Sequence, residues 1–191
     1  MKISEYTDNL HSILDNSIFT DGNGLNIERD KAIRLCIEGF LNLRSTAGKV
    51  IFIGNGGSAS IASHAAIDFL NNCSIPALCF GDSALLTCLS NDFGYERVFE
   101  KPIRALITPN DILVAVSSSG KSPNILNAAR TARDSGCKVF TFSAFLETNP
   151  LRAMGDINLY VPSGSYGYVE LAHQIFMHMI TDMIMAEKAG R

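Results

Sequence analysis

Apolar positions in the first 48 residues recur at helical spacing. Between Ile3 and Ile18 they fall at Tyr6, Leu10, Ile13, Leu14 and Ile18. Between Ile27 and Leu43 they fall at Ile33, Cys36, Ile37, Phe40 and Leu41. Each set lies along one side of a helix, so the spacing predicts two amphipathic helices. The Gly- and Asn-rich stretch TDGNGLN at 20–26 separates them as a break. A pair of this kind carries no chemistry of its own. It needs a surface to cover, either the rest of the chain or another subunit.

From Lys49 the rhythm changes. Apolar, β-branched runs of strand length stand at 50–54, 76–80, 111–117, 138–143 and 157–162. Helical stretches alternate with them at 58–71, up to about Leu89, at 96–106, at 123–135 and from about Tyr168 to Lys188. Runs that are apolar throughout are buried on both faces, which is the mark of a parallel sheet covered by helices on each side. The expected fold is α/β: a doubly wound, mainly parallel five-stranded sheet flanked by helices, with an N-terminal helical pair. Neither a repeat nor a linker divides the chain. A single domain over 1–191 is expected, with 1–48 as the helical pair and 49–191 as the α/β core.

Composition narrows the class. Of 191 residues 47% are hydrophobic and 18% charged, enough apolar material for a sizeable core and unlike a disordered chain. The formal net charge is −3 without a basic block, which argues against nucleic-acid binding by phosphate neutralisation. The apolar runs are too short to span a membrane, and the opening MKISEYTDNL lacks the apolar segment of a secretory signal. Five cysteines (Cys36, Cys73, Cys79, Cys88, Cys137) are scattered without a CxxC pair, the usage of reduced thiols in a cytoplasmic protein.

Two loops carry the first chemistry. Gly54-Asn55-Gly56-Gly57-Ser58 leads from the first core strand into a helix, and Ser117-Ser118-Ser119-Gly120-Lys121-Ser122 does the same after the third. Glycine at such a turn lets the backbone approach a ligand, and the helix N-terminus offers free N–H groups and a dipole that favour an anion. Serine hydroxyls add donors without charge. Neither loop has GxxxxGK[ST] spacing, and the third glycine of a GxGxxG pattern would fall on Ala59. Phosphate loops and ordinary turns with serine-capped helices are both open on this spacing alone.

GNGGSA after the first core strand, NDFGY at 91–95 and SSSGKS after a later strand together resemble the sugar isomerase (SIS) domain family, and within it the phosphoheptose isomerases. The resemblance runs over nearly the whole chain. It implies that Ser58, Ser117, Ser119 and Ser122, with Ser118, Gly56 and Gly57 of the same loops, hold a substrate phosphate. It also implies that Asn55 and Asp92 contact the sugar. A cytoplasmic homotetramer with active sites at subunit boundaries is expected on the same ground. So is an aldose–ketose isomerase that converts sedoheptulose 7-phosphate to a heptose 7-phosphate in surface-glycan biosynthesis. The alternative is a non-catalytic SIS module, binding a phosphosugar or acting as a regulatory tetramer.

Histidines and carboxylates add a second constellation. His64 and Asp68 are four apart, and Glu170 and His178 are eight apart, so each pair shares a helix face. Such pairs form surface hydrogen bonds, or they converge as a divalent metal site of imidazole and carboxylate suited to Zn²⁺ among other metals. The resemblance implies the second: the matching positions carry His, Glu, Gln and His and bind zinc in some members, with the glutamate at the position of Asp68 as general base and the last histidine, at that of His178, as its partner acid or base. The expected metal set is therefore His64, Asp68, Glu170 and His178, with Asp68, His178 and Glu170 catalytic.

Departures from the family pattern are Asp68 for Glu, Glu170 for Gln, and Gly167 where an acidic residue is usual. Two carboxylates in one site repel each other unless a cation lies between them. His173 either joins the site or lines it, and His11 is a surface or interface residue. Asp82 is a helix cap. Lys121 either screens the phosphate or points to solvent. Met177, Met179, Met183 and Met185 are packing or interface residues.

Overall fold

The computed structural model describes residues 2–189; residues 1, 190 and 191 of the expected domain lie outside them. Helix α1 (Ile3–Asp15) ends before Ile18, and the expected break holds a small hairpin, β1 (Ile18–Asp21) and β2 (Asn26–Ile27). Asp21 makes this turn: its Oδ1 accepts from the backbone N–H groups of Asn23 and Leu25, both at 2.9 Å. Side-chain bonding of this kind is the normal way Asp closes a tight turn. Strands of four and two residues are too short to show a period of two, so spacing alone marks them only as a break. Helix α2 (Arg29–Thr46) follows, with the Glu28 carboxylate accepting from the N–H groups of Asp30 and Lys31 at its start.

The remaining elements alternate. They are β3 (Val50–Ile53), α3 (Gly57–Asn71), β4 (Ala77–Cys79), α4 (Ser83–Phe93), α5 (Glu100–Leu106), β5 (Ile112–Ser117), α6 (Pro123–Asp134), β6 (Lys138–Ser143), β7 (Ile157–Tyr160) and α7 (Tyr166–Ala189). A short 3₁₀ turn at Tyr95–Arg97 interrupts the helix expected over 96–106. The sheet has seven strands in the order β2-β1-β7-β6-β5-β3-β4. Five of them are parallel, as expected, and the hairpin adds two antiparallel strands through β1 against β7. Asn158, fully buried on β7, accepts from Thr141 Oγ1 at 2.7 Å and donates to the β1 carbonyls of Thr20 and Asp21. It holds the added edge in register.

Alternation along the core strands sorts their side chains into two layers. Val50, Phe52, Val114, Val116, Phe140 and Phe142 meet α2, α3 and α7 on one face. Ile51, Ile53, Leu113, Ala115 and Val139 meet α5 and α6 on the other. Phe69 of α3 stands edge-on to both Phe40 and Phe52, at centroid separations of 4.7 and 5.1 Å. That geometry favours aromatic pairs and fixes α3 against the sheet.

The fold positions the site through strand order. Read in chain order, the parallel strands lie 2-1-3-4-5, so the winding reverses between β3 and β5. Ligands of open α/β sheets bind beyond the carboxyl ends of the strands at this reversal. The loops that leave β3 and β5 are the two Gly- and Ser-rich loops.

Candidate active site

The two loops enclose a cavity of about 230 Å³ between Asn55–Ser58 on one side and Ser117, Ser118, Ser119 and Ser122 on the other, with Tyr166 and Glu170 of α7 closing it. Neither helix that starts here takes a side-chain cap: the N-cap of α3 is Gly56 and that of α6 is Ser122, both without a capping bond. The reading of these serines as helix caps therefore fails, and the N-terminal ends of two helices meet at one cavity. Ser58, Ser117 and Ser118 are buried at the cavity wall. Gly120 has a φ of +60°, and a Cβ there would collide with the Asn149 side chain. Asn149 in turn donates to Ser143 Oγ and to the carbonyls of Ala144 and Leu146, bracing the neighbouring loop.

A second, more open cavity of about 470 Å³ adjoins the first and shares Gly57 and Glu170 with it; His64, Ser60 and Gln174 line its far side. A Cβ at Gly57 would overlap the Glu170 carboxylate. The missing side chain admits Glu170 to the junction of the two cavities. Among the described residues the Glu170 side chain forms no hydrogen bond or ion pair.

About three turns further along α3, Asp68 meets His178 of α7. Gly57 touches Glu170 at the start of both helices, so α3 and α7 run side by side in the same sense. Asp68 Oδ2 lies 3.5 Å from His64 Nε2 and 3.5 Å from His178 Nδ1. Its Oδ1 accepts from Asn72 Nδ2 at 3.1 Å. The two imidazoles stand edge to face, 4.9 Å apart. One donor atom from each of His64, Asp68 and His178 falls within 4.8 Å of the others. Donors bound tetrahedrally to zinc at about 2.0–2.1 Å sit about 3.3 Å apart; the two Asp68–imidazole separations of 3.5 Å come close to this, and three protein donors would leave a fourth position for a ligand.

Glu170 stands outside this trio. The expected four-residue group resolves into three convergent donors and one carboxylate nearer the serines. Asp92 is also apart: it is exposed on α4, within reach of Asn91 and Cys88, and lines neither cavity. Lys121 is exposed and likewise lines neither. His173 is fully buried, its Nε2 3.3 Å from the Ser143 carbonyl and its ring against Phe142. Burial pulls its pKa down to about 4, so it is a neutral core residue and not part of the site. His11 is exposed and pairs with Asp15, and Asp82 caps α4 by accepting from Leu85 N. Met177 is buried, whereas Met183 and Met185 are exposed.

Three site residues escaped the spacing rules. Tyr166 walls the serine cavity, its ring edge-on to Phe145, which adopts a φ of +58° rare for a bulky residue. Tyr95 and Asn124 hydrogen-bond to Asn55 from distant segments. Only Pro123 at the first helical position signals where Asn124 lies.

Comparison with known proteins identifies the family of this fold. Residues 5–144 match the SIS domain model, which takes in both serine loops and the His64–Asp68 pair. A phosphoheptose isomerase of Solidesulfovibrio magneticus is 38% identical over 72% of this chain and 69% of its own length. One from Aliarcobacter butzleri is 34% identical over 81% of this chain and 82% of its own. The structure of a phosphoheptose isomerase from Francisella tularensis superposes with a TM-score of 0.82 over 96% of both chains, at 28% identity. The chain belongs to the SIS domain family, on the branch of the phosphoheptose isomerases.

Proposed function

We propose that this protein is an aldose–ketose isomerase that converts sedoheptulose 7-phosphate to a heptose 7-phosphate, a step toward surface-glycan precursors. One observation carries the reading: the serine cavity at the winding reversal opens, past Gly57 and Glu170, toward the His64/Asp68/His178 trio. The phosphate would bind among Ser58, Ser117, Ser118, Ser119 and Ser122 and the two helix N-termini, with Asn55 beside them. Binding energy at that remote end then orients the carbonyl end.

The reaction moves one hydrogen from C1 to C2 and one from O1 to O2 by way of an enediol, so atoms balance within the substrate. It needs one carrier for the carbon-bound proton and one for the proton between the oxygens. Glu170, at a position where the family carries Gln, is the carboxylate at the cavity junction, free of side-chain partners among the described residues, and takes the first role in place of Asp68. His178 takes the second. Asp68, held between two imidazoles and Asn72, orients both histidines. His64, Asp68 and His178 would hold a divalent ion, Zn²⁺ by donor type, which when bound polarises the substrate oxygens.

No described helix is long and apolar enough to cross a membrane, and no disulfide joins any of the cysteines among the described residues. Reduced cysteines fit a cytoplasmic location. Turnover of sedoheptulose 7-phosphate with and without a chelator tests the reading. His178→Ala is expected to abolish turnover and to leave inorganic phosphate binding within about twofold. Undiminished turnover in that variant, or phosphosugar binding without turnover in the wild type, would overturn it.

A further inference from the structure

Asn55 is fixed by residues from two other parts of the chain. Its amide pairs face to face with that of Asn124: Asn55 Nδ2 donates to Asn124 Oδ1 at 3.0 Å, and Asn124 Nδ2 donates to Asn55 Oδ1 at 2.9 Å. The Tyr95 hydroxyl donates to the same Asn55 Oδ1 at 3.1 Å. A carbonyl oxygen accepts two bonds and an amide nitrogen donates two. The Asn55 oxygen is therefore saturated, and one N–H remains.

The supports are themselves anchored. Asn124 is buried in the first turn of α6, and its Oδ1 also accepts from Ile125 N. One turn on, Asn127 Nδ2 donates to the Glu96 carbonyl at 3.0 Å, tying α6 to the 3₁₀ turn that carries Tyr95. Gly94, at a φ of +84°, redirects the chain out of α4 into that turn. These contacts bridge the loop after β3, the loop after β5 and the NDFGY segment.

We infer that Asn124 and Tyr95 are positioning residues that hold the Asn55 amide with a single free N–H at the wall of the serine cavity, so that Asn55 meets the ligand as a donor only. The ligand group beside it must then be an acceptor, such as a phosphate, carbonyl or ether oxygen. This rests on reading the serine cavity as the phosphate cradle. It also gives the NDFGY segment a role within one subunit: it delivers a hydroxyl to the first loop.

The test uses the full-length protein with inorganic phosphate and sedoheptulose 7-phosphate as probes. Tyr95 is 52% exposed, so Tyr95→Phe removes one hydroxyl without disturbing the core. It is expected to weaken phosphate binding about 3- to 10-fold, the weight of one net hydrogen bond. It should raise KM by a similar factor, with kcat within about twofold and the melting temperature unchanged. Asn124→Ala should do at least as much, and its melting temperature reports separately on folding. In an Asn55→Ala background neither substitution should weaken phosphate binding further, because both act through Asn55. Equal penalties with and without Asn55, or wild-type phosphate affinity in Tyr95→Phe, would overturn the inference. Ser119→Ala separates the two readings. If it binds phosphate as the wild type does, or the wild type binds none, the cradle itself is wrong and the inference falls with it.

Discussion

Glu170 and Asp68 show how two carboxylates in adjoining surroundings differ in what engages them. Asp68 has both oxygens engaged, one by His64 and His178 and the other by Asn72. Glu170 lies against the bare Cα of Gly57, at the wall of the serine cavity. Glu170→Gln keeps the shape and removes the proton acceptor. Turnover is expected to fall roughly 100-fold or more, the usual weight of a general base. Affinity for inorganic phosphate should hold or rise, because a negative charge leaves the cavity wall. Steady-state kinetics with phosphate titration checks both, and kcat within a few-fold of wild type would return the carbon proton to Asp68.

At the scale of elements, the site depends on how strand ends are tied together. Asp111 precedes β5, almost wholly buried, and accepts from Lys49 N at 2.8 Å, Lys49 Nζ at 2.7 Å and Thr108 N at 2.7 Å. Burial pushes its carboxyl up, but the Lys49 and Thr108 bonds outweigh it and hold the group below the ordinary carboxylate range. This tie fixes the N-terminal end of β5 to that of β3, and so the spacing of the serine loops at their far ends. Asp111→Ala leaves Lys49 and two backbone donors without their acceptor. A loss of roughly 3 kcal/mol is expected by urea denaturation, as for other broken buried pairs. A loss under about 0.5 kcal/mol would mean the strand ends are held by packing alone.

On the scale of the whole molecule, His173 sets a pH limit. Its folded pKa of about 4 lies below the ordinary 6.5, so between those values the unfolded chain binds the extra proton. Stability is then complete above about pH 6.5 and falls as the pH drops toward 4, by an amount on the order of 3 kcal/mol. Denaturation at pH 7.5 and 4.5 should show the loss, and His173→Leu should flatten it; an unchanged slope in the variant would assign it elsewhere. Assembly is the other property at this scale. Ile67 and Leu70 of α3 are 65% and 62% exposed beside the His64–His178 cluster. A groove of about 530 Å³ runs between α1, α2 and α7, with Leu14, Ile33, Phe176 and Met179 on its walls and Asp15, Arg29, Asp30 and Arg34 beside them. Exposed apolar residues such as Ile67 and Leu70, where they gather into a patch, mark a contact surface. A homotetramer is expected by light scattering, and a monomeric mass would refute it.

The pattern of apolar positions alone determined the α/β class, the five parallel strands and the loops that end them, because burial on both faces writes itself into consecutive residues. It also determined the shared faces of His64 with Asp68 and of Glu170 with His178, since a helix has one period. Tertiary structure decided what those faces meet. The hairpin at 18–27 was too short to carry a period, and strand order, not spacing, set β3 beside β5. Glu170 left the metal-like trio because α3 and α7 meet first at Gly57, a contact between segments over a hundred residues apart. Asn55, Tyr95 and Asn124 form one unit for the same reason: hydrogen bonds between separate loops depend on distances in space, and a linear sequence records none of them.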